Sequence, residues 1–452
     1  MHILPFIGYS LLFGFYSFLC GYGILKIPFI RKSGIHPRVL LLFFALHVLT
    51  GCLHNIIAWR FYPHHGDIWN DFQLSFMERD RLISNFSQFL TDNSAWTLFS
   101  HNAIIFIQIF LDLFSFDNLY INTLLFSFPI FLGNVALYRL FRRRFPADPL
   151  TAATIFLLPS TLFWTSCIHR DAALYALLGA MLYRIDRRGK PAFYTGILFL
   201  LIIYFRSAVA FTLVPALMGW WLVAAPLPGG HPHLSPGRRL LFLGRRSPPH
   251  ARRLILACIC AGIATIFVLA FPALPGSLLQ AYSAHQRLFQ LLEGHSRLYL
   301  PVMDGTWRGL LHVLPSAIRN GLFEPLPGSG GRPIYLAFSV ELMLIWVVVI
   351  VASIAAFRSR PSQVSPPFSP LAFPVFCVLF ALTGMLLIGT LVPFAGAIIR
   401  YRSIYLPFLL APFLHFLHQF TPVQRLNARL ARILPEPESG LSQTLTRPNS
   451  NL

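Results

Sequence analysis

The sequence predicts an all-α fold, a polytopic helical membrane protein of about 11 transmembrane helices with surface-lying helices on its outer face. Three observations predict it. Of the 452 residues, 56% are hydrophobic and only 12% are charged, about half the charged share of a soluble domain. The apolar residues gather in stretches about as long as a bilayer crossing, and mean hydropathy reaches +0.63. The basic residues fall in short runs between those stretches, as the positive-inside rule requires.

Eleven candidate spans follow in order: 3–25, 39–59, 119–140, 148–166, 172–185, 191–206, 208–225, 254–274, 334–357, 371–392 and 403–420. The four between 148 and 225 are short. The first lacks a basic flank ahead of it and a small-residue cleavage site, so it reads as a retained span preceding the rest. Residues 1–38 therefore form an extra N-terminal span with its loop, and 39–225 a first membrane region with a long outer loop, 60–118. Residues 226–253, rich in Pro, Gly and Arg, read as a cytoplasmic linker. A second membrane region, 254–420, carries a long outer loop, 275–333. The polar residues 421–452 read as a disordered cytoplasmic tail.

Orientation follows from Lys and Arg. With loop 26–38 in the cytoplasm, 24 of the 36 basic residues are cytoplasmic, the N-terminus is outside and the C-terminus inside. This placement also excludes nucleic acid as the partner of the +20 net charge, because no single polar domain carries a basic patch. Eleven of the 16 carboxylates fall on the outer side. The apolar stretch Asn102 to Phe116, interrupted by Gln108 and Asp112, reads as a helix lying along the membrane surface.

The ionisable residues near the outer face are the candidates for chemistry. The first outer loop opens on Pro63-His64-His65-Gly66-Asp67-Ile68-Trp69-Asn70-Asp71. Asp67 is placed to take a proton from an acceptor hydroxyl, and Asp67 with Asp71 to hold a divalent cation against a phosphate, with His65 in support. Their spacing fits no unique metal. The tip Pro159-Ser160-Thr161-Leu162-Phe163-Trp164-Thr165-Ser166-Cys167-Ile168-His169-Arg170-Asp171 sets His169, Arg170 and Asp171 between two short apolar segments. An Arg there forks onto a phosphate or pairs with Asp171. Arg206 interrupts another apolar run and calls for an anion, either a carboxylate or a phosphate. Arg400 and Arg402 flank Tyr401 on a short turn with no acid close in sequence, which points to anion binding. The six cysteines read as small buried hydrophobes. Walker loops, dinucleotide fingerprints, nucleophile elbows and His-Glu-x-x-His are absent, so ATP-driven transport, hydride transfer and zinc proteolysis are not expected.

The layout resembles the polytopic glycosyltransferases of the C superfamily, which use sugars linked to lipid phosphate. It is also similar to bacterial membrane proteins of polysaccharide gene clusters that carry Pro-Ser-x-x-Phe-Trp-x-Ser and Arg-Tyr-Arg segments, here Pro159–Ser166 and Arg400–Arg402. The resemblance extends over most of 39–420 and lies more in architecture than in motif. The chain differs in its extra first span and in lacking an adjacent acidic pair. The resemblance implies an enzyme of the bacterial inner membrane that moves a sugar from a polyprenyl-phosphate carrier to a lipid-linked or cell-surface glycan on the outer face. Asp67 would be the base or metal ligand. Arg170, Arg206, Arg400 and Arg402 would hold the phosphate. An oligosaccharide polymerase or ligase of the same pathway, or a glycolipid transporter or flippase, are the alternatives.

Overall fold

The computed structural model describes residues 3–62, 66–92, 103–145, 149–188, 193–224, 273–292, 296–328, 333–358, 372–417 and 420–433. Among them 87% are helical and no strand forms, so the all-α expectation stands. The helices are α1 (Ile3–Lys26), α2 (Pro28–Arg31), α3 (Pro37–Phe61), α4 (Gly66–Ser84), α5 (Phe86–Asp92), α6 (Ala103–Ser115), α7 (Leu119–Arg144), α8 (Pro149–Phe156), α9 (Pro159–Thr165), α10 (Arg170–Arg188), α11 (Phe193–Ala224), α12 (Ala273–Leu291), α13 (Trp307–Ile318), α14 (Pro333–Arg358), α15 (Ala372–Leu391), α16 (Ala395–Arg402), α17 (Leu406–Leu417) and α18 (Thr421–Ile433), with a π-helical turn at Arg319–Phe323.

Six described helices are long and apolar enough to cross a membrane: α1, α3, α7, α11, α14 and α15. The pair α16 and α17, bent by 57°, is a seventh if it counts as one span. Large side chains face outward on α1, such as Leu11, Phe15 and Phe18, and on α14, such as Leu336, Val340, Met343, Leu344 and Val347, whereas most of those of α7 are buried. In water such stripes would aggregate, whereas lipid accommodates them.

The expected eleven spans are therefore not what the described residues hold. Segment 148–166 breaks at Pro159 into α8 and α9, of eight and seven residues. Each is only ~10–12 Å long at 1.5 Å per residue, too short for a bilayer. Segment 172–185 lies within α10, whose ends carry Arg170, Asp171, Arg184, Asp186, Arg187 and Arg188. Segments 191–206 and 208–225 fall on α11 as two helical stretches joined across a kink at Arg206, where the backbone leaves helical geometry at φ −164°, ψ 96°. Candidate 254–274 and linker 226–253 lie outside the described residues, apart from Ala273 and Leu274.

A further correction concerns the tail. Residues 421–433 form α18, with Pro422 in its first turn and Val423, Leu426, Leu430 and Ile433 at helical spacing, and it packs on α8. The three arginines between the apolar positions hid this period. Residues 434–452 lie outside the described residues.

The chain divides into two compact units, Met1–Arg206 with Leu417–Leu452, and Ser207–Phe416. In the first, α7 is the central helix, with α1, α3, α6, α8 and α10 packed on it. Glycines set the closest approaches. A Cβ on Gly133 would lie 2.4 Å from the Ala176 Cα, and one on Gly179 2.3 Å from the Gly133 carbonyl oxygen, so α7 and α10 touch backbone to backbone. The interrupted stretch at 102–116 forms α6. At 13 residues it is ~20 Å long, shorter than the ~30 Å hydrocarbon core. Asp112 on α6 accepts hydrogen bonds from Ser75 Oγ of α4 at 2.8 Å and Asn122 Nδ2 of α7 at 2.5 Å, tying three helices together. Burial pushes the Asp112 carboxyl above the ordinary carboxylate value, while those two hydrogen bonds pull it back.

In the second unit, α13, the π turn and α15 form the tightest group. Gly389 meets the Ala317 carbonyl oxygen and Gly321 that of Met385, each at 2.1 Å from where a Cβ would stand. Buried Gln286 of α12 donates to the carbonyls of Pro301 (3.1 Å) and Thr390 (2.8 Å) and accepts from the Met303 amide (2.7 Å), pinning the 301–303 segment to α15.

Candidate functional site

The first unit gathers most of the expected site residues at one cluster. Ala58 near the end of α3, Ile68 on α4, and Cys167, Ile168, Ala172 and Ala173 around the start of α10 form a buried apolar core, with Tyr62, Trp69 and Phe205 packed against it. Asp67, His169, Arg170, Asp171 and Arg206 each stand within two residues of a member of that core. Three segments far apart in sequence thus meet, and each brings an ionisable group.

Local chemistry explains the meeting. Gly51 of α3 admits the turn before α10, since a Cβ there would come 2.3 Å from the Ser166 carbonyl oxygen. One turn further on, Asn55 donates through Nδ2 to Thr123 Oγ1 of α7 at 2.9 Å, and its carbonyl accepts from Trp69 Nε1 of α4 at 3.0 Å. Asn55 thereby holds α3, α7 and α4 together. Gly66, at φ +71°, makes the left-handed step into α4, a conformation that a side chain would strain.

Asp67 and Asp71 occupy successive turns on one face of α4, Asp67 exposed and Asp71 half-buried. Asp67 lies in the first turn, where the helix dipole favours its negative charge. His65, the expected support, lies outside the described residues. Arg206 meets Asp171 at 3.3 Å, with the Asp171 side chain fully buried and that of Arg206 20% exposed. Of the two anions weighed for Arg206, the protein supplies the carboxylate, and it comes from the α10 start rather than from a neighbour in sequence. Arg170 reaches the Tyr204 hydroxyl electrostatically, which brings it to the same stretch of α11.

Arg400, Tyr401 and Arg402 belong to the second unit. They lie on α16, where a short turn was expected. The first residues of α16 are fastened to the 296–298 segment by the Ala395 amide on the Ser296 carbonyl, at 2.9 Å. Arg400 is half-buried, its guanidinium 5.8 Å from the Tyr401 ring centre. Arg402 is 1% exposed, and its Nη1 donates to the carbonyls of Gly321 (3.3 Å) and Glu324 (2.6 Å), with the Glu324 and Glu341 carboxylates in electrostatic reach. The acids missing from its neighbourhood in sequence arrive from 78 and 61 residues away. Arg402 is thus a buried structural cation rather than an open phosphate ligand.

The chain matches no family model, no curated protein and no solved structure.

Two residues not singled out for chemistry stand beside His169. His54 and Cys167 are 3% and 0% exposed beside His169 at 5%, and one ligating atom of each lies within 4.8 Å of the others. The His54 ring packs between Phe163 at 4.7 Å, Trp164 at 5.2 Å and His169 at 5.6 Å. A signal for His54 exists in α3. His47, Gly51, His54, Asn55 and Ala58, all buried, recur every three or four residues and mark one polar and small-residue face in an otherwise apolar span.

Proposed function

We propose that this chain is a membrane-embedded glycosyltransferase that moves a sugar from a polyprenyl-phosphate carrier to a lipid-linked or cell-surface glycan on the outer face of a bacterial inner membrane. The observation that supports it is that α4, the start of α10 and the stretch of α11 before its Arg206 kink share one core, at the end of the first unit whose segments carry Asp67, Arg170 and Arg206. The basic split of the sequence supports an outer position for that end, with the N-terminus outside, the C-terminus inside and α6 lying along the surface.

In this reading the Asp67 carboxylate takes the proton of the acceptor hydroxyl. The freed oxygen attacks the anomeric carbon, and the bond to the phosphate oxygen breaks with its electron pair leaving on phosphate. Negative charge grows on that phosphate, where fixed cations stabilise it most. Arg170 supplies such a cation beside the core, and Arg206 supplies one shared with Asp171. Within the second unit, Arg400 is a half-buried guanidinium and Arg402 positions α16. A divalent cation, if the reaction uses one, would take Asp67 and Asp71 as ligands.

Asp67→Asn tests the assignment, because it removes the base and keeps the shape. Purified variant and wild type, matched for monodispersity, are compared with labelled polyprenyl-phosphate sugars. Loss of a general base predicts a fall of roughly 10²–10⁴-fold. An Asp67→Asn protein as active as wild type contradicts the role.

A further inference from the structure

We propose that His54, Cys167 and His169 form a transition-metal site whose donor set selects Zn²⁺. The inference does not depend on the transfer reaction. Two imidazoles and a thiol converge from elements that sequence separates by more than a hundred residues: His54 from the middle of α3, and Cys167 and His169 from the turn between α9 and α10. All three are buried, with the His54 ring against Phe163 and Trp164.

The geometry is close to what the ion requires. A tetrahedral zinc with bonds of ~2.0–2.3 Å holds its ligand atoms roughly 3.3–3.6 Å apart. The three atoms here already lie within 4.8 Å of one another, so side-chain rotations of about an ångström complete the set. The backbone holds them there. The His169 amide donates to the Cys167 carbonyl at 2.8 Å, which curls the turn so that both residues can reach the same point. Gly51 brings that turn onto α3 one helical turn before His54. The Cys167 thiol rests its proton on the Trp164 carbonyl at 3.4 Å. Metal binding would release that proton to solvent and leave a thiolate, as zinc ligation by cysteine does.

Three protein ligands leave a fourth position open for water or another ligand. The ion would also clamp α3 to the residues that carry Arg170 and Asp171, fixing where the α10 start presents its charges. Thiolate and imidazole together favour zinc over magnesium or calcium, which take oxygen ligands.

The test uses full-length protein in detergent, stripped by chelation and titrated with Zn²⁺ and with Co²⁺ as a spectroscopic substitute. The expected result is one Zn²⁺ per chain and a near-ultraviolet thiolate-to-cobalt band, both lost in Cys167→Ser and in His54→Gln. Should Cys167→Ser not purify, a chain with its other five cysteines changed to alanine carries the test, and the band must persist in it. Absence of stoichiometric uptake by the wild type overturns the site. So does a cobalt band that survives Cys167→Ser, or one that is absent when Cys167 is the sole cysteine.

Discussion

Gly133→Leu is expected to abolish recovery of folded protein. Gly133 lies midway along α7, where α10 packs most closely. A Cβ there meets the Ala176 Cα and Cβ at 2.4 Å and its carbonyl oxygen at 2.8 Å, and Gly179 in turn faces the Gly133 carbonyl oxygen. The obstacle is backbone, so no rotamer change relieves it, and a leucine must push two central helices apart. Overpacking of a core costs about 1–3 kcal/mol even where side chains can adjust. Here separation would also strip contacts from Val135, Leu137, Leu140, Leu174 and Leu178, all fully buried. Against a net stability of roughly 5–15 kcal/mol that is a large fraction. Gly196→Ala on α11, where a new Cβ meets nothing within 4 Å, is the control and should be neutral or slightly stabilising. Size-exclusion profiles and thermal melts in detergent report both. A Gly133→Leu protein with the wild-type melting temperature would refute the packing.

Arg402→Leu is expected to have an effect of similar size in the second unit. The guanidinium serves two carbonyls at the end of the π turn and sits with the Glu324 and Glu341 carboxylates. Leucine fills much of the volume and supplies no donor. Leaving a buried carbonyl unsatisfied costs about 1–3 kcal/mol, and removing one side of a buried charge arrangement about 3–5 kcal/mol. Arg402→Lys should fall between, since an ammonium keeps the charge but cannot reproduce the planar fork. Arg400→Gln should behave differently. It should leave the fold intact, because Arg400 is half-buried and outside that carbonyl network. If Arg402→Leu melts like wild type and loses only activity, Arg402 is a ligand contact and its structural role is wrong.

These two predictions mark where sequence reading reaches and where it stops. Membrane character was legible because it is a property of composition and run length, which folding does not alter. A short helix over the interrupted stretch was legible as well, because Gln108 and Asp112 mark one face of its apolar run, and both side chains are buried. The partner of Arg206 was not legible. The chain kinks at that residue, but its charge goes to Asp171 at the start of another helix. The partners of Arg402 were beyond reach for the same reason, since proximity in space of Glu324 and Glu341 has no trace in local spacing. His54 was not singled out, because Cys167 and His169 lie over a hundred residues away. Its signal was the periodic polar face of α3 rather than any motif.

The direct measurement of the central claim is transfer itself. Purified wild-type protein, reconstituted in lipid vesicles, is given labelled polyprenyl-phosphate sugars and lipid-linked glycan acceptors. Label is expected in the acceptor, with matching release of polyprenyl phosphate, and neither in Asp67→Asn. Movement of intact glycolipid across the vesicle membrane without cleavage of the sugar–phosphate bond would contradict it and make the protein a transporter.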